Sequence, residues 1–376
     1  MVHSRVALCC LLLLSACSKK GGSTSGTGGD STPPAKIVMN AAIVERAKAH
    51  AAGCTINIES GQAYSCAAGI TDATNKLIRE GKPADFAATL AELARSKEDP
   101  KVSAAAVAIY ADQFDYLDED AKRRNATPAA IEATLAAFKE SSGPRAVRLA
   151  KPTVHLATLG KSLDKIVTAV DGHATKAARD EGYRHMLTFA RLEAFPAIKA
   201  AGAKKEHATA ALDSIRNMYK PTAAEKAAVC PWAEGFLGDA DGDTAASAGR
   251  DMVYCRGSHI DALLTEAGKR LDAGRFKSPF SQVMREPCFQ FAGALTPSAA
   301  DVAQCDRVYT FLEKAANDAK VDDATRGLAL WNIYYQRRDD KTLKLMRKYE
   351  KSPNKEIAKN AQDAIKSLVE TYKLKG

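Results

Sequence analysis

One pattern recurs along this chain and limits what it can become: a loop carrying Gly, Pro, Asp or Asn, then an Ala-rich amphipathic segment. It reads DPKVSAAAVAIYAD, GPRAVRLAKPTVHLA, GHATKAARDEGYRHM, EHATAALDSIRNM, GDTAASAGRDMVYC, DDATRGLALWNIYY and NKEIAKNAQDAI. Taking Lys101, Pro144, His173, His207 and Asp243 as markers, the steps are 43, 29, 34 and 36 residues. A unit of that length is a helix pair, which exposes an apolar face and must bury it against its neighbours. The core of such a chain runs continuously along the array.

Composition points the same way. Of 376 residues 46% are hydrophobic and only 6% aromatic. That apolar share is too high for a disordered chain. It leans on Ala rather than on Val, Ile and aromatics, which favours helix and excludes a large all-β architecture. Val102, Ala106, Ile109 and Leu117 fall on one helical face, with Tyr110 and Phe114 beside it. Ile260, Leu263, Leu264, Ala267 and Leu271 form another such stripe. So do Val302, Cys305, Tyr309, Leu312 and Ala316, and Ile357, Ala361, Ala364, Leu368 and Tyr372. Breaks between helices are marked by KEDPK, ESSGPR, GDADGD, LTPSA and KSPNKE.

A drifting period in the mid-thirties resembles HEAT-type helical repeats, in which a loop with Asp or Asn precedes a V-R-x-x-A-like inner helix. Val147-Arg148 fits that motif, and Arg326 and Lys359 sit similarly, whereas Ser103 replaces the basic residue in the first copy. The likeness spans roughly residues 70–376. It implies an all-α fold, an α-solenoid of HEAT-like helix pairs with an elongated surface for partners. An irregular α/α bundle is the competing architecture.

The N-terminus sets an address. Arg5, an apolar run Val6–Leu14 and small residues Ser15 and Ala16 have the layout of a secretory signal over residues 1–16, too short for a permanent membrane span. Leu14-Ser15-Ala16-Cys17 resembles the lipobox of bacterial lipoproteins, whose cysteine is lipidated and becomes the mature N-terminus. The resemblance implies lipidation of Cys17. Each buried methylene contributes about 0.8 kcal/mol, so two or three acyl chains make anchoring effectively permanent. Ser18 stands where the family's inner-membrane retention signal usually has Asp, which implies the outer membrane. Residues 17–38 follow as a Gly/Ser/Pro tether; over residues 18–35 such a coil averages roughly 25 Å end to end. Residues 39–376 form a single helical-repeat body.

Nine cysteines are present; Cys9 and Cys10 leave with the signal and Cys17 takes lipid. Six remain in the exported chain: Cys54, Cys66, Cys230, Cys255, Cys288 and Cys305. They allow 15 pairings. Cys54 and Cys66 flank TINIESGQAYS, which reads as a small disulfide-tied hairpin or loop. Cys230 with Cys255, and Cys288 with Cys305, sit on successive predicted helices and would staple antiparallel neighbours. No C-x-x-C and no paired histidines at ligand spacing occur, so no metal or other cofactor is expected.

Catalytic motifs are absent or broken. G-x-S-x-G is missing. Ser162-Leu163-Asp164-Lys165 and Ser352-Pro353-Asn354-Lys355 both read S-x-x-K without an accompanying K-T-G, so they are read as caps and solvated faces. Asp239-Ala240-Asp241-Gly242-Asp243 begins like a calcium loop, but Thr244 and Arg250 stand where Gly and Glu belong. Asp243 or Thr244 is expected to cap the next helix instead. His173 and His207 look like a repeat position, and Trp232 and Trp331 like core anchors. No catalytic residue is assigned.

Charge is the remaining signal. The chain carries +9 overall. Within residues 341–376, Lys341, Lys344, Arg347, Lys348, Lys351, Lys355, Lys359, Lys366, Lys373 and Lys375 outnumber Glu350, Glu356, Asp363 and Glu370. These helices read as a solvated end cap, with contact to an anionic surface as the sharper alternative. The expectation is a lipid-anchored, non-enzymatic protein on the periplasmic or cell-surface face of the bacterial outer membrane. It binds a protein partner in the envelope through its repeat surface, and no nucleic acid. The runner-up is an envelope hydrolase acting on cell-wall or glycan material; a structural spacer is the third reading.

Overall fold

The computed structural model describes residues 37–277, 280–284 and 299–375. The expected signal segment, Cys17, nearly all of the expected tether and Cys288 lie outside them. The chain opens with α1 (Ala41–Gly53), a hairpin of β1 (Cys54–Asn57) and β2 (Gln62–Cys66), then α2 (Ile70–Gly81), α3 (Phe86–Arg95) and α4 (Pro100–Gln113). Next come α5 (Glu119–Asn125), α6 (Pro128–Glu140), α7 (Gly143–Leu159), α8 (Leu163–Asp171), α9 (Lys176–Ala190), α10 (Phe195–Gly202) and α11 (Ala208–Arg216). Last are α12 (Ala223–Glu234), α13 (Gly242–Cys255), α14 (Ser258–Asp272), α15 (Phe280–Val283), α16 (Ala299–Asn317), α17 (Asp323–Gln336), α18 (Asp340–Tyr349) and α19 (Lys355–Glu370).

Helix starts follow from local chemistry. Asp99 accepts the backbone N–H groups of Lys101 (2.8 Å) and Val102 (3.1 Å), with Pro100 at the first helical position. Thr127 and Pro128 repeat this arrangement at α6. Thr222 and Glu225 close a reciprocal capping box at α12.

Among the described residues, the main helix contacts are between neighbours. The helices α1, α4, α7, α9, α11, α13, α15, α17 and α19 each pack on the next and form a spine. A second row lies alongside, in which α3 packs on α6 and α6 on α8, then α12 on α14 and α14 on α16. Each member of that row also packs on a spine helix, as α3 does on α4 and α16 on α17. This is an all-α solenoid of HEAT-like helix pairs, not an irregular bundle. All seven recurring sequence segments become spine helices: α4, α7, α9, α11, α13, α17 and α19.

Spine position changes the burial expected of a one-sided helix. Every residue of α4 from Ser103 to Tyr110 is buried, because α1, α3 and α7 surround it and the hairpin covers it. The Ile260 and Ile357 stripes are buried as expected, with Leu264 half-buried at the edge. Two outer members are not: Val302 is 46% exposed, and Tyr372 lies beyond the end of α19 at 37%.

The hairpin pairs Cys54 with Cys66 and Asn57 with Gln62 in antiparallel register, with an irregularity at Thr55/Ile56. The Cys54–Cys66 disulfide closes its base. Gly61 adopts φ +66° and lies so close to α4 that a Cβ would sit 2.6 Å from Val107. A second disulfide, Cys230–Cys255, ties α12 to α13. Cys305 is disulfide-bonded as well, while Cys288 lies outside the described residues.

Gly182, in the middle of α9, faces Val170 of α8; a Cβ there would lie 2.6 Å from Val170 Cγ2. Ala intrinsically favours helix by about 1 kcal/mol over Gly, so propensity alone predicts that Gly182→Ala stabilises. Overpacking should reverse the sign and destabilise by about 1–3 kcal/mol in urea unfolding. A gain in stability would mean that the α8–α9 contact yields.

Candidate functional site: a polar strip along the spine

With neighbours before, behind and to one side, a spine helix has one narrow face left for charge. Arg148, Lys151 and His155 occupy that face on α7 at spacings of three and four. Glu181, Arg184 and His185 do so on α9, Asp213 and Arg216 on α11, and Ser247 and Asp251 on α13. Some of their partners lie on the same helix, three or four residues away; others lie on the adjacent spine helix or just past its end, about one repeat away in sequence.

At the first junction, Arg148 donates to Asp112 Oδ1 at 2.6 Å, across 36 residues. Lys151 donates to Asp115 Oδ2 at 2.5 Å, also across 36 residues, and His155 Nδ1 lies 3.3 Å from the other oxygen. Hydrogen bonding from His155, reinforced by Lys151, holds the Asp115 carboxyl well below the usual carboxylate range despite partial burial. The His155 ring stacks on Phe189 of α9, with centroids 4.0 Å apart and planes 9° from parallel, and meets Phe114 edge-on.

Further along, seven side chains form one relay across three helices. His185 Nε2 and Glu181 Oε1 are 2.9 Å apart, and this contact leads the causes that lower the Glu181 carboxyl. Arg184 bonds Glu181 and Asp213, each at 3.2 Å. Asp213 also accepts from Arg216 and, at 2.7 Å, from the Ser247 hydroxyl. Arg216 then donates to Asp251 Oδ1 at 2.6 Å, across 35 residues. Asp251 is fully buried and its second oxygen has no hydrogen-bond partner. Burial therefore pushes its carboxyl up to about 8, against the pull of Arg216.

Two clefts are present, of which the first reaches the strip at Arg184. One of about 910 Å³ opens at the N-terminal ends of α9, α11 and α13; Lys176, Asp180, Lys204, Lys205, Glu206, Asp241 and Arg250 are among its lining residues. The other, about 860 Å³, lies between the hairpin tip, the ends of α3 and α6 and the start of α7. There Arg145 bonds the Ser103 hydroxyl (3.3 Å) and the Ile58 carbonyl (3.2 Å), and desolvation lowers its pKa.

The other residues singled out in the sequence are scattered. Ser162 turns to the Gly160 carbonyl and Lys165 to Glu132. Ser352 accepts from the Asn354 backbone and Lys355 is exposed. The cap of α13 is Asp241, not Asp243 or Thr244: its carboxylate accepts Asp243 N–H (3.3 Å) and the Thr244 hydroxyl (3.0 Å). Loop geometry places Asp241, rather than its neighbours, in the extended conformation that precedes a helix. His173 and His207 are both buried at helix starts but keep different company. His173 bonds the Phe138 carbonyl, whereas His207 bonds Asp180 at 2.7 Å. Trp232 packs against Phe195 and Phe236, and Trp331 against Tyr334. The C-terminal lysines are exposed; Lys348 reaches Glu313 at 3.9 Å.

Among the described residues, one trio of metal-ligating type converges, His50, Cys54 and Cys66, in spite of the spacing that argued against a metal. Sequence reading also missed the relay. The signal available was a polar pair recurring one repeat apart among buried alanines, legible only once the spine helices are set in register. A hydrolase would need two carboxylates facing a substrate. Asp213 and Asp251 differ in environment as such a pair should, but both are held on one guanidinium and Asp251 has no exposed surface.

No protein-family model matches the sequence, and no curated protein matches it. Among solved structures, the crystal structure of Kap121p bound to Pho4p is similar over 84% of this chain, at 11% sequence identity and a TM-score of 0.38. This chain spans 40% of the length of that one. Nothing about function follows from a likeness of that strength.

The relay makes a pH prediction. Between about 4, the usual carboxylate value, and about 8, native Asp251 holds a proton that the unfolded chain has released. Its contribution to stability therefore falls as pH rises through that window. Asp251→Asn should remove this slope, so that its stability relative to wild type rises from pH 4 to 8 and levels off above. Parallel unfolding curves for the two proteins would contradict the assignment.

Proposed function

We propose that this protein is a lipid-anchored, non-enzymatic scaffold of the bacterial envelope that binds another envelope protein along its spine strip. The observation that carries the reading is the run of half-buried charges on successive spine helices, each already oriented by a partner one repeat away. Side chains held in place lose little further freedom when a partner docks, and their repeat spacing suits an extended polypeptide. The clefts at 910 and 860 Å³ provide room for its side chains.

Anchoring rests on Leu14-Ser15-Ala16-Cys17 and the tether behind it. No helix among the described residues is long and apolar enough to cross a membrane. Exposed lysines on α18 and α19 supply a second, electrostatic contact to an anionic surface.

Two measurements test the two halves separately. Replacing Cys17 by Ala should shift the protein from the membrane to the soluble fraction; unchanged membrane association removes the anchor. A photo-crosslinking residue placed at Thr188, beside the strip, should give one reproducible protein adduct in cells, and the same residue at Lys139 on α6 should not. Arg184→Glu should weaken that adduct at least about tenfold, the cost of roughly one charged contact. Equal adducts from strip and flank positions would refute strip binding whatever the anchor result.

A further inference from the structure

We propose that His50, Cys54 and Cys66 constitute a Cys₂His site for a zinc-type divalent ion, closed while the two cysteines are bonded to each other and opened when a dithiol reduces them. The three ligand atoms already lie within 4.8 Å of one another, and His50 Nε2 is 4.0 Å from Cys66 Sγ. A tetrahedral ion with Zn–S of about 2.3 Å and Zn–N of about 2.0 Å keeps N and S about 3.6 Å apart and the sulfurs about 3.8 Å apart. The sulfurs must separate and the imidazole must close slightly on them, and breaking the sulfur–sulfur bond frees both to move.

Local structure sets the imidazole in advance. His50 lies in the last turn of α1, four residues before Cys54, whose backbone N–H bonds the His50 carbonyl. Thr74 of α2 donates its single hydroxyl proton to the Ile70 carbonyl at 2.9 Å. Its oxygen, 3.3 Å from His50 Nδ1, is therefore left to accept, which puts the imidazole proton on Nδ1. The lone pair of Nε2 then faces the disulfide. Thr74 is the outer hydrogen-bond partner that a metal-binding histidine ordinarily has. Cys54 is buried but Cys66 is only half-buried, so a reagent and an ion reach the site from the Cys66 side.

The chemistry balances without further components. One thiolate of the dithiol attacks Cys66 Sγ, and Cys54 leaves and takes a proton. The second thiol of the reagent then attacks the mixed disulfide and releases Cys66. Two electrons and two protons pass to the protein, and the dithiol departs as its own disulfide. Zn²⁺ binding to the reduced site releases the two thiol protons and none from His50. Either linkage, disulfide or metal, closes the base of a hairpin that rests on α4 and contributes the Ile58 carbonyl bonded by Arg145.

The test is anaerobic titration of the full chain with Co²⁺, read by the thiolate-to-cobalt charge-transfer band and the visible bands of a tetrahedral ion. Reduced wild type should bind one equivalent more than oxidised wild type, and one more than reduced His50→Ala or reduced Cys54→Ser/Cys66→Ser. The other cysteines are common to wild type and His50→Ala, so that difference isolates this site. Thr74→Val should keep the spectrum and bind about 10–100-fold more weakly. Equal binding by reduced wild type and His50→Ala, or by the reduced and oxidised chains, overturns the site. An unchanged affinity in Thr74→Val overturns the preset histidine.

Discussion

The structure depends on how closely one spine helix can approach the next. Ala104, Ala105, Ala106 and Ala108 on α4 are fully buried, as are Ala146, Ala150 and Ala157 on α7 and Ala245, Ala246 and Ala248 on α13. Methyl-sized side chains let backbones come close and lose almost no rotamer freedom when buried. They also contribute little apolar area each, so cohesion comes from the number of such contacts along the array. Where closer approach is required the chain uses glycine, as at Gly182 against Val170. Larger groups such as Tyr110, Phe138 and Tyr183 fill the spaces between layers.

That stacking dictates where charge can go. A helix enclosed on three sides leaves a strip about two side chains wide, and polar residues at spacings of three and four fall on it. Facing strips on adjacent helices then meet, so acid and base pair across one repeat as well as within one helix. Pairs at the rim, such as Lys151 with Asp115, remain partly solvated. Towards α13 the strip sinks, and Asp251 is enclosed to the point where desolvation outweighs the neighbouring guanidinium. The same ladder that orients the exposed charges thus holds one carboxyl whose charged state works against the fold.

The disulfides act at the edges of this arrangement. Cys54–Cys66 closes a hairpin that caps the spine beside α4, and Cys230–Cys255 ties a flanking helix to it. Neither lies between successive spine helices, where alanine contacts already do that job.

The helical class, the repeat length and seven of the spine helices were legible in the sequence, because the 3.6-residue period, the loop residues that break it and Ala content act locally; the cap of α13 was not. The Cys54–Cys66 hairpin was legible for the same reason: its partners are twelve residues apart. What lies one repeat away was not. Asp213, Arg216 and Asp251 meet only when α11 and α13 are stacked, and His50 meets Cys66 only when β2 returns to the end of α1. Sequence by itself determined which segments are helices and which helices recur. Only tertiary stacking decided which faces remained open, which charges met and which carboxyl lost its water, since those depend on distances between residues that the chain brings together only when folded.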